Sequence, residues 1–221
     1  YSKEYTQVLA PSDSEGNQIL SMIPDKDLLP PDLWAYDPKT RRTRKIVYTP
    51  YISPGRGTLL VEDRSGFLGY IHDYDWKYLR TQTVLAPGPI RSTEPTWGGK
   101  GGWYIVDPWE LRRAVVVEAT PNIAHPLYSR RVIYIDVQTS LPLYAFAYDH
   151  AGNHKRTFLL TARHPEFNPW DNKEWVAQIA AQASIDYQLE RANNFQITKI
   201  LLNRALSPSQ FTVMALMLRG K

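Results

Sequence analysis

The chain has 221 residues, 43% hydrophobic and 22% charged, the proportions of a folded domain and not of a disordered one. It contains no cysteine, which excludes disulfides, thiolate metal sites, iron–sulfur clusters and thiol nucleophiles. A net charge of +4, from 26 basic and 22 acidic residues, is too small and too scattered for a dedicated nucleic-acid binder, and no apolar run is long enough for a membrane-spanning helix.

Residues 1–10 read as a strand, with neither the charged start nor the apolar run of a signal peptide. The chain does not begin with Met, so it reads as a processed product. Three more strands follow at 18–23, 33–36 and 45–51, with a turn at Asp37-Pro38-Lys39-Thr40 between the last two. Residues 73–79 (DYDWKYL) suggest a short helical turn. Residues 86–95 carry Pro87, Pro89 and Pro95 and cannot be a central strand. The segment 97–103, WGGKGGW, has four glycines around Lys100, but Gly101 follows the lysine where a phosphate loop needs Ser or Thr. It reads as a flexible loop between two aromatic anchors.

Residues 112–163 have the pattern of a β-meander. Two β-branched runs, 112–120 and 130–137, precede a turn at Gln138-Thr139-Ser140. A strand at 143–148 and a turn at 149–153 follow, with Gly152 available for a positive φ, and then a strand at 157–163. Residues 171–183 fit a short alanine-rich helix capped by Asp171 and Glu174, with a strand over 175–183 as the rival. In 184–191 Ile185, Tyr187 and Leu189 alternate with Asp186, Gln188 and Glu190, the period of a half-buried strand. Ser207 and Pro208 open a C-terminal helix whose apolar stripe is Phe211, Met214, Ala215 and Leu218.

Motifs that carry chemistry are sparse. No G-x-S-x-G nucleophile elbow is present. His72, Asp73 and Asp75 form a weak acid–base cluster. His150 and His154 flank a turn beside Asp149, fewer convergent ligands than a metal site needs. These patterns assign no catalytic residue, metal or cofactor. Paired cations at Arg112/Arg113, Arg130/Arg131 and Lys155/Arg156 lie on strands, so each pair splits between the two sheet faces. One member of each pair either lines an inner groove, as part of an anion or headgroup site, or pairs with a carboxylate; the plainer alternative is a solvated edge or sheet face. With many strands and few helices, apolar sheet face exceeds what the helices cover, which suits a curled sheet around a hydrophobic ligand.

The stretches Trp109-Glu110-Leu111-Arg112-Arg113, Glu118-Ala119-Thr120-Pro121, His125-Pro126, Tyr128-Ser129-Arg130-Arg131-Val132 and Tyr134-Ile135-Asp136 resemble a known family. So do Tyr148-Asp149 with Gly152, Tyr74-Asp75-Trp76-Lys77, Tyr36-Asp37-Pro38 with Arg41-Arg42, and Leu206-Ser207-Pro208 with Phe211-Thr212. The family is that of uncharacterised bacterial outer membrane lipoprotein-sorting protein homologues, similar to the LolA/LolB carriers. The resemblance covers most of 30–165 and the C-terminal segment, and implies that the chain is the C-terminal portion of a longer secreted protein.

The resulting expectations are a single domain over 1–221 and a mainly β (α+β) fold. The resemblance makes the fold a curved antiparallel sheet or half-open β-barrel with a few short helices. The expected function is a periplasmic, non-enzymatic binder or carrier of lipid, lipoprotein acyl chains or another hydrophobic ligand. It would have no nucleic-acid partner and at most peripheral contact with a membrane. The expected lining is Val115, Val117, Ile133, Ile135, Tyr144, Phe146, Tyr148, Ile185, Tyr187 and Leu189, with Arg113, Arg130 and Arg131 at a headgroup. The alternatives are an interaction module partnering an envelope transporter and, behind it, an envelope lipid or glycan enzyme using His72.

Overall fold

A computed structural model of the chain describes residues 2–25, 29–51, 59–164, 166, 176–202 and 204–219. They form two compact units, Tyr1–Thr49 with Asn203–Lys221, and Pro50–Leu202. The architecture is mainly β with antiparallel strand pairing, as the strand periodicity predicts.

The first unit is a four-stranded meander, β1 (Ser2–Gln7), β2 (Gln18–Ile23), β3 (Asp32–Asp37) and β4 (Arg42–Ile46), in sequential order. The turn between β3 and β4 follows from Asp37. Its carboxylate accepts the Lys39 backbone N–H at 2.9 Å and the Thr40 hydroxyl at 2.9 Å, which leaves Arg41 at φ 53°. A short helix, α1 (Val213–Arg219), buries Leu216 against Leu20 and Tyr36.

The expected helical stripe is displaced. Pro208–Gln210 forms only a 3-10 turn, and Phe211 leaves helical geometry at φ −108° and ψ 54°. Thr212 then restarts the helix by accepting the Ala215 N–H on its hydroxyl, so Val213 and Leu216 turn inward while Met214 and Leu218 are exposed.

The second unit holds a seven-stranded antiparallel sheet. Its strands are β5 (Tyr74–Pro87), β8 (Trp109–Pro121), β9 (Arg130–Asp136), β10 (Pro142–Tyr148), β11 (His154–Arg163), β12 (Gln178–Asp186) and β13 (Arg191–Gln196). The spatial order is β13-β12-β11-β10-β9-β8-β5. β5 and β13 end the sheet without pairing to each other, so it is open and not a closed barrel. The predicted meander over 112–163 is its centre.

Three local expectations are corrected. Residues 74–79 belong to β5, and only Ile71–Asp73 is a 3-10 turn. Residues 178–183 are strand, because this alanine-rich run pairs on both sides, with β11 and β13, where small side chains pack under neighbouring elements. The proposed cap residues Asp171 and Glu174 lie outside the described residues. Finally, 184–191 is no single strand. The Asp186 carboxylate accepts the backbone N–H groups of Gln188 and Leu189 at 3.1 and 3.0 Å, which closes a hairpin turn into β13 with Glu190 at φ 49°.

The two faces of the large sheet are covered differently. On one, a strap from β5 to β8 crosses the strands. It contains β6 (Trp97–Gly98), the 3-10 turn Lys100–Gly102 and β7 (Tyr104–Ile105). Trp97, Trp103, Tyr104 and Ile105 pack on Ala114, Tyr144, Leu159, Ala183 and Ile185. Trp97 Nε1 donates to Gln196 at 2.9 Å and Asn194 donates to the Gly102 carbonyl at 2.6 Å, so the glycine loop is seated and not loose. On the other face, residues 59–67 lie over β10, β11 and β12, with Leu60 packed among Ile133, Ala145, Ala147, Phe158 and Leu160.

Candidate functional site

The face beneath residues 59–67 has a covered half and an open half. The covered half is held by a buried ion network. The 3-10 turn Val61–Gly66 carries Glu62 and Asp63, both fully buried. Arg131 on β9 and Arg156 on β11 are equally buried and reach them from the sheet.

Arg131 Nη2 pairs with Glu62 and, at 2.6 Å, with Asp63. Arg156 bridges Asp63 at 2.9 Å and Asp186 at 2.8 Å. Tyr128 donates its hydroxyl to Asp63, and Tyr74 donates to Glu62 at 2.7 Å. His125 Nδ1 accepts the backbone N–H groups of Leu127 and Tyr128, so its proton sits on Nε2 and is donated to Glu62 at 2.8 Å. Gln182 ties the same turn down by donating to the Asp63 carbonyl and accepting from the Gly66 N–H.

Burial by itself raises the Glu62 carboxyl, but the His125 hydrogen bond and the Arg131 charge outweigh it and hold Glu62 below its ordinary value. The Arg156 hydrogen bond does the same for Asp186 and the Arg112 hydrogen bond for Asp136, each against the opposing effect of burial. A carboxyl with a depressed folded-state pKa stabilises the fold above its unfolded pKa and loses that contribution as pH falls through the folded one. Chemical denaturation at pH 7 and pH 3 is therefore expected to show a loss of stability on acidification that sets in as pH falls through the ordinary carboxylate range of about 3.9–4.3 and continues below it. Gly66 sits at φ +78°, and a Cβ there would lie 3.2 Å from Leu160 Cδ1. Gly66→Ala is expected to cost more than about 1 kcal/mol in a denaturant titration.

The open half lies on β5, β8 and β9. Cross-strand register places Leu85 beside Leu111, Thr83 beside Arg113, Thr81 beside Val115, and Val115 beside Ile135. Val137 continues this patch, its N–H donating to the Arg113 carbonyl at 2.9 Å. Leu111 is 73% exposed, Leu85 56% and Val137 52%. Trp76 and Tyr78, also exposed, lie further along β5 on the same face. Among the described residues no acidic side chain lies on the exposed part of this face, and Arg113 is the one cation there. Exposed apolar sheet face of this kind marks an interaction or ligand surface.

The residues expected to form one lining are divided between the two faces. Val117, Ile133 and Ile135 belong to the face of residues 59–67, and Val115 shares it by alternation. Ile133 is covered, while Val115, Val117 and Ile135 border the open patch. Tyr144, Phe146 and Ile185 lie on the opposite face, in contact with the strap or its core. Tyr148 stands beyond them, stacked 3.6 Å under the Arg130 guanidinium. Tyr187 and Leu189 fall in the hairpin turn, half exposed.

The three headgroup candidates also part. Arg131 is locked in the ion network, Arg130 bonds Glu118 at 3.4 Å, and Arg113 is exposed on the open patch. Sequence reasoning missed Leu85, Leu111, Trp76 and Tyr78. Tyr74, Trp76 and Tyr78 alternate along β5, but the bulge between Tyr78 and Arg80 shifts the alternation before Thr81, Thr83 and Leu85, so no single period-2 reading joins them.

Two clefts elsewhere, of about 20 and about 370 Å³, share Pro89, Arg112, Thr139 and Ala162 and include none of the ten expected lining residues. Asp73, from the weak acid–base cluster, accepts the Tyr51 hydroxyl and lies 3.3 Å from His72, while Asp75 faces Thr120 across β5 and β8. Among the described residues no three His, Asp or Glu side chains converge to hold a metal.

The fold and its half-covered face define an open antiparallel β-sheet protein. The chain matches over residues 1–216 the family described as protein of unknown function (DUF1329), and it belongs to that family. Its structure is similar to one described as an outer membrane lipoprotein-sorting protein domain from Vibrio parahaemolyticus, at 16% identity, covering 97% of this chain and 77% of that one, with a TM-score of 0.67. A DUF1329 family protein from Desulfovibrio piger is similar at 18% identity, with 96% and 75% coverage and a TM-score of 0.62. At these identities the likeness is one of fold. No curated protein matches the chain in sequence.

Proposed function

We propose that the chain is a non-enzymatic binder or carrier of a hydrophobic ligand in the bacterial envelope, with the ligand lying on the open half of the β5–β8–β9 face. The observation that carries this reading is the apolar surface of exposed Leu85, Leu111 and Val137 bordered by half-buried Val115 and Ile135, with no acidic residue on it among the described residues. Such a surface is costly to leave in water, at about 25 cal/mol per Å². The fold it shares with a Vibrio parahaemolyticus domain described as outer membrane lipoprotein-sorting supports a periplasmic site of action and lipid or lipoprotein acyl chains as ligands. The polar groups nearest to a catalytic constellation are engaged with each other in the ion network, which supports a binding role over an enzymatic one.

The test is titration with the neutral dye N-phenyl-1-naphthylamine. Saturable, blue-shifted emission displaced by a synthetic triacylated lipopeptide is expected. A protein that neither binds the dye nor takes the lipopeptide overturns the proposal.

A further inference from the structure

Of the arginines on the large sheet, four each have a carboxylate, while Arg80 and Arg163 bond uncharged oxygens. Arg112 is clamped by Asp136 at 2.6 Å and Glu110 at 2.9 Å, Arg130 meets Glu118, and Arg131 and Arg156 share the buried acids. Arg113 differs. It is exposed, it stands between Leu111 and Val115 on the open apolar face, and among the described residues no carboxylate pairs with it. Strand alternation separates it from its neighbour, so the acids that neutralise Arg112 lie across the sheet from Arg113.

An apolar ligand that covers this face desolvates the guanidinium unless it brings a compensating anion. A cationic ligand is repelled, and a neutral one leaves the charge uncompensated. We infer that the open face takes an anionic amphiphile, with its acidic headgroup on Arg113 and its chain running inward along β8 past Val115 and Val117. The run from Arg113 to Val117 is four residues, about 13 Å at the rise of a strand. Leu111 and Leu85, on the other side of Arg113, flank the headgroup end. This inference rests on the ligand-binding reading above and narrows it to acidic ligands.

Displacement of N-phenyl-1-naphthylamine by three probes of equal chain length tests it: dodecanoate, dodecanol and dodecyltrimethylammonium. Dodecanoate is expected to compete at least about tenfold better than the other two, the effect of one hydrogen bond to a charged group. Arg113→Gln should abolish that preference while dodecanol competes as before, and Arg113→Lys should keep most of it. The circular dichroism spectra of both variants establish that they fold. Equal competition by the three probes, or a preference unchanged in Arg113→Gln, overturns the inference and leaves the ligand-binding reading standing. Failure of the dye and of all three probes to bind overturns both.

Discussion

Arg131→Met is expected to destabilise the second unit by about 3–5 kcal/mol, the largest effect of a single substitution away from the apolar core. The side chain is fully buried and touches both Glu62 and Asp63, so its removal leaves two buried carboxylates sharing Arg156, His125 and the tyrosine hydroxyls. An uncompensated charge in the interior costs several kilocalories, whereas a satisfied pair is near neutral against an apolar replacement. The triple variant Arg131→Met, Glu62→Gln, Asp63→Asn should therefore recover part of the loss. Urea titration of the two proteins checks this, and a single variant within 1 kcal/mol of wild type would mean that the network holds nothing in place. About 1 kcal/mol is also the ceiling for an exposed ion pair, which makes the distinction measurable.

The pair Leu85→Glu and Leu111→Glu is expected to weaken binding of N-phenyl-1-naphthylamine at least about 100-fold, since each leucine contributes about 1.5–3 kcal/mol when covered. Both side chains are exposed, so each substitution made singly should change folding stability by only about 0.5 kcal/mol, while in the double variant the two carboxylates face each other across β5 and β8 and cost a further ~0.2–1 kcal/mol. Loss of binding beyond this small change in stability separates a ligand surface from a structural one. The equivalent charges on the opposite face, Phe146→Glu for instance, are expected to damage the fold, because Phe146 packs against the strap-covered core.

Much of the fold was legible because its strands advertise themselves locally. The β-branched runs at 112–120 and 130–137 and the turn at Asp37 are decided by neighbours in sequence, and the structure has them where they were expected. Ser184 to Arg191 went astray for an equally local reason. The alternation continues through the turn, and only the side-chain bonds of Asp186 show where the strand stops. The alanine-rich 178–183 carries helix propensity that tertiary pairing overrides.

The site was harder to read. Splitting of the arginine pairs was visible, and the partner of Arg112 is indeed a carboxylate. Which arginine would be buried depended on Glu62 and Asp63, 69 and 68 positions away from Arg131, and no periodicity reports such a contact. The ten lining candidates all satisfied the alternation rule, but alternation assigns a residue to a face only after the register is known, and it does not say which face another segment covers.

The most direct test of the central claim is to locate a bound chain. A diazirine-bearing fatty acid, photoactivated on the folded protein and mapped by peptide mass spectrometry, is expected to label the β5–β8–β9 face between Leu111 and Val117. Labelling confined to the opposite face around Phe146 and Tyr148, or no labelling above an unfolded control, would contradict it.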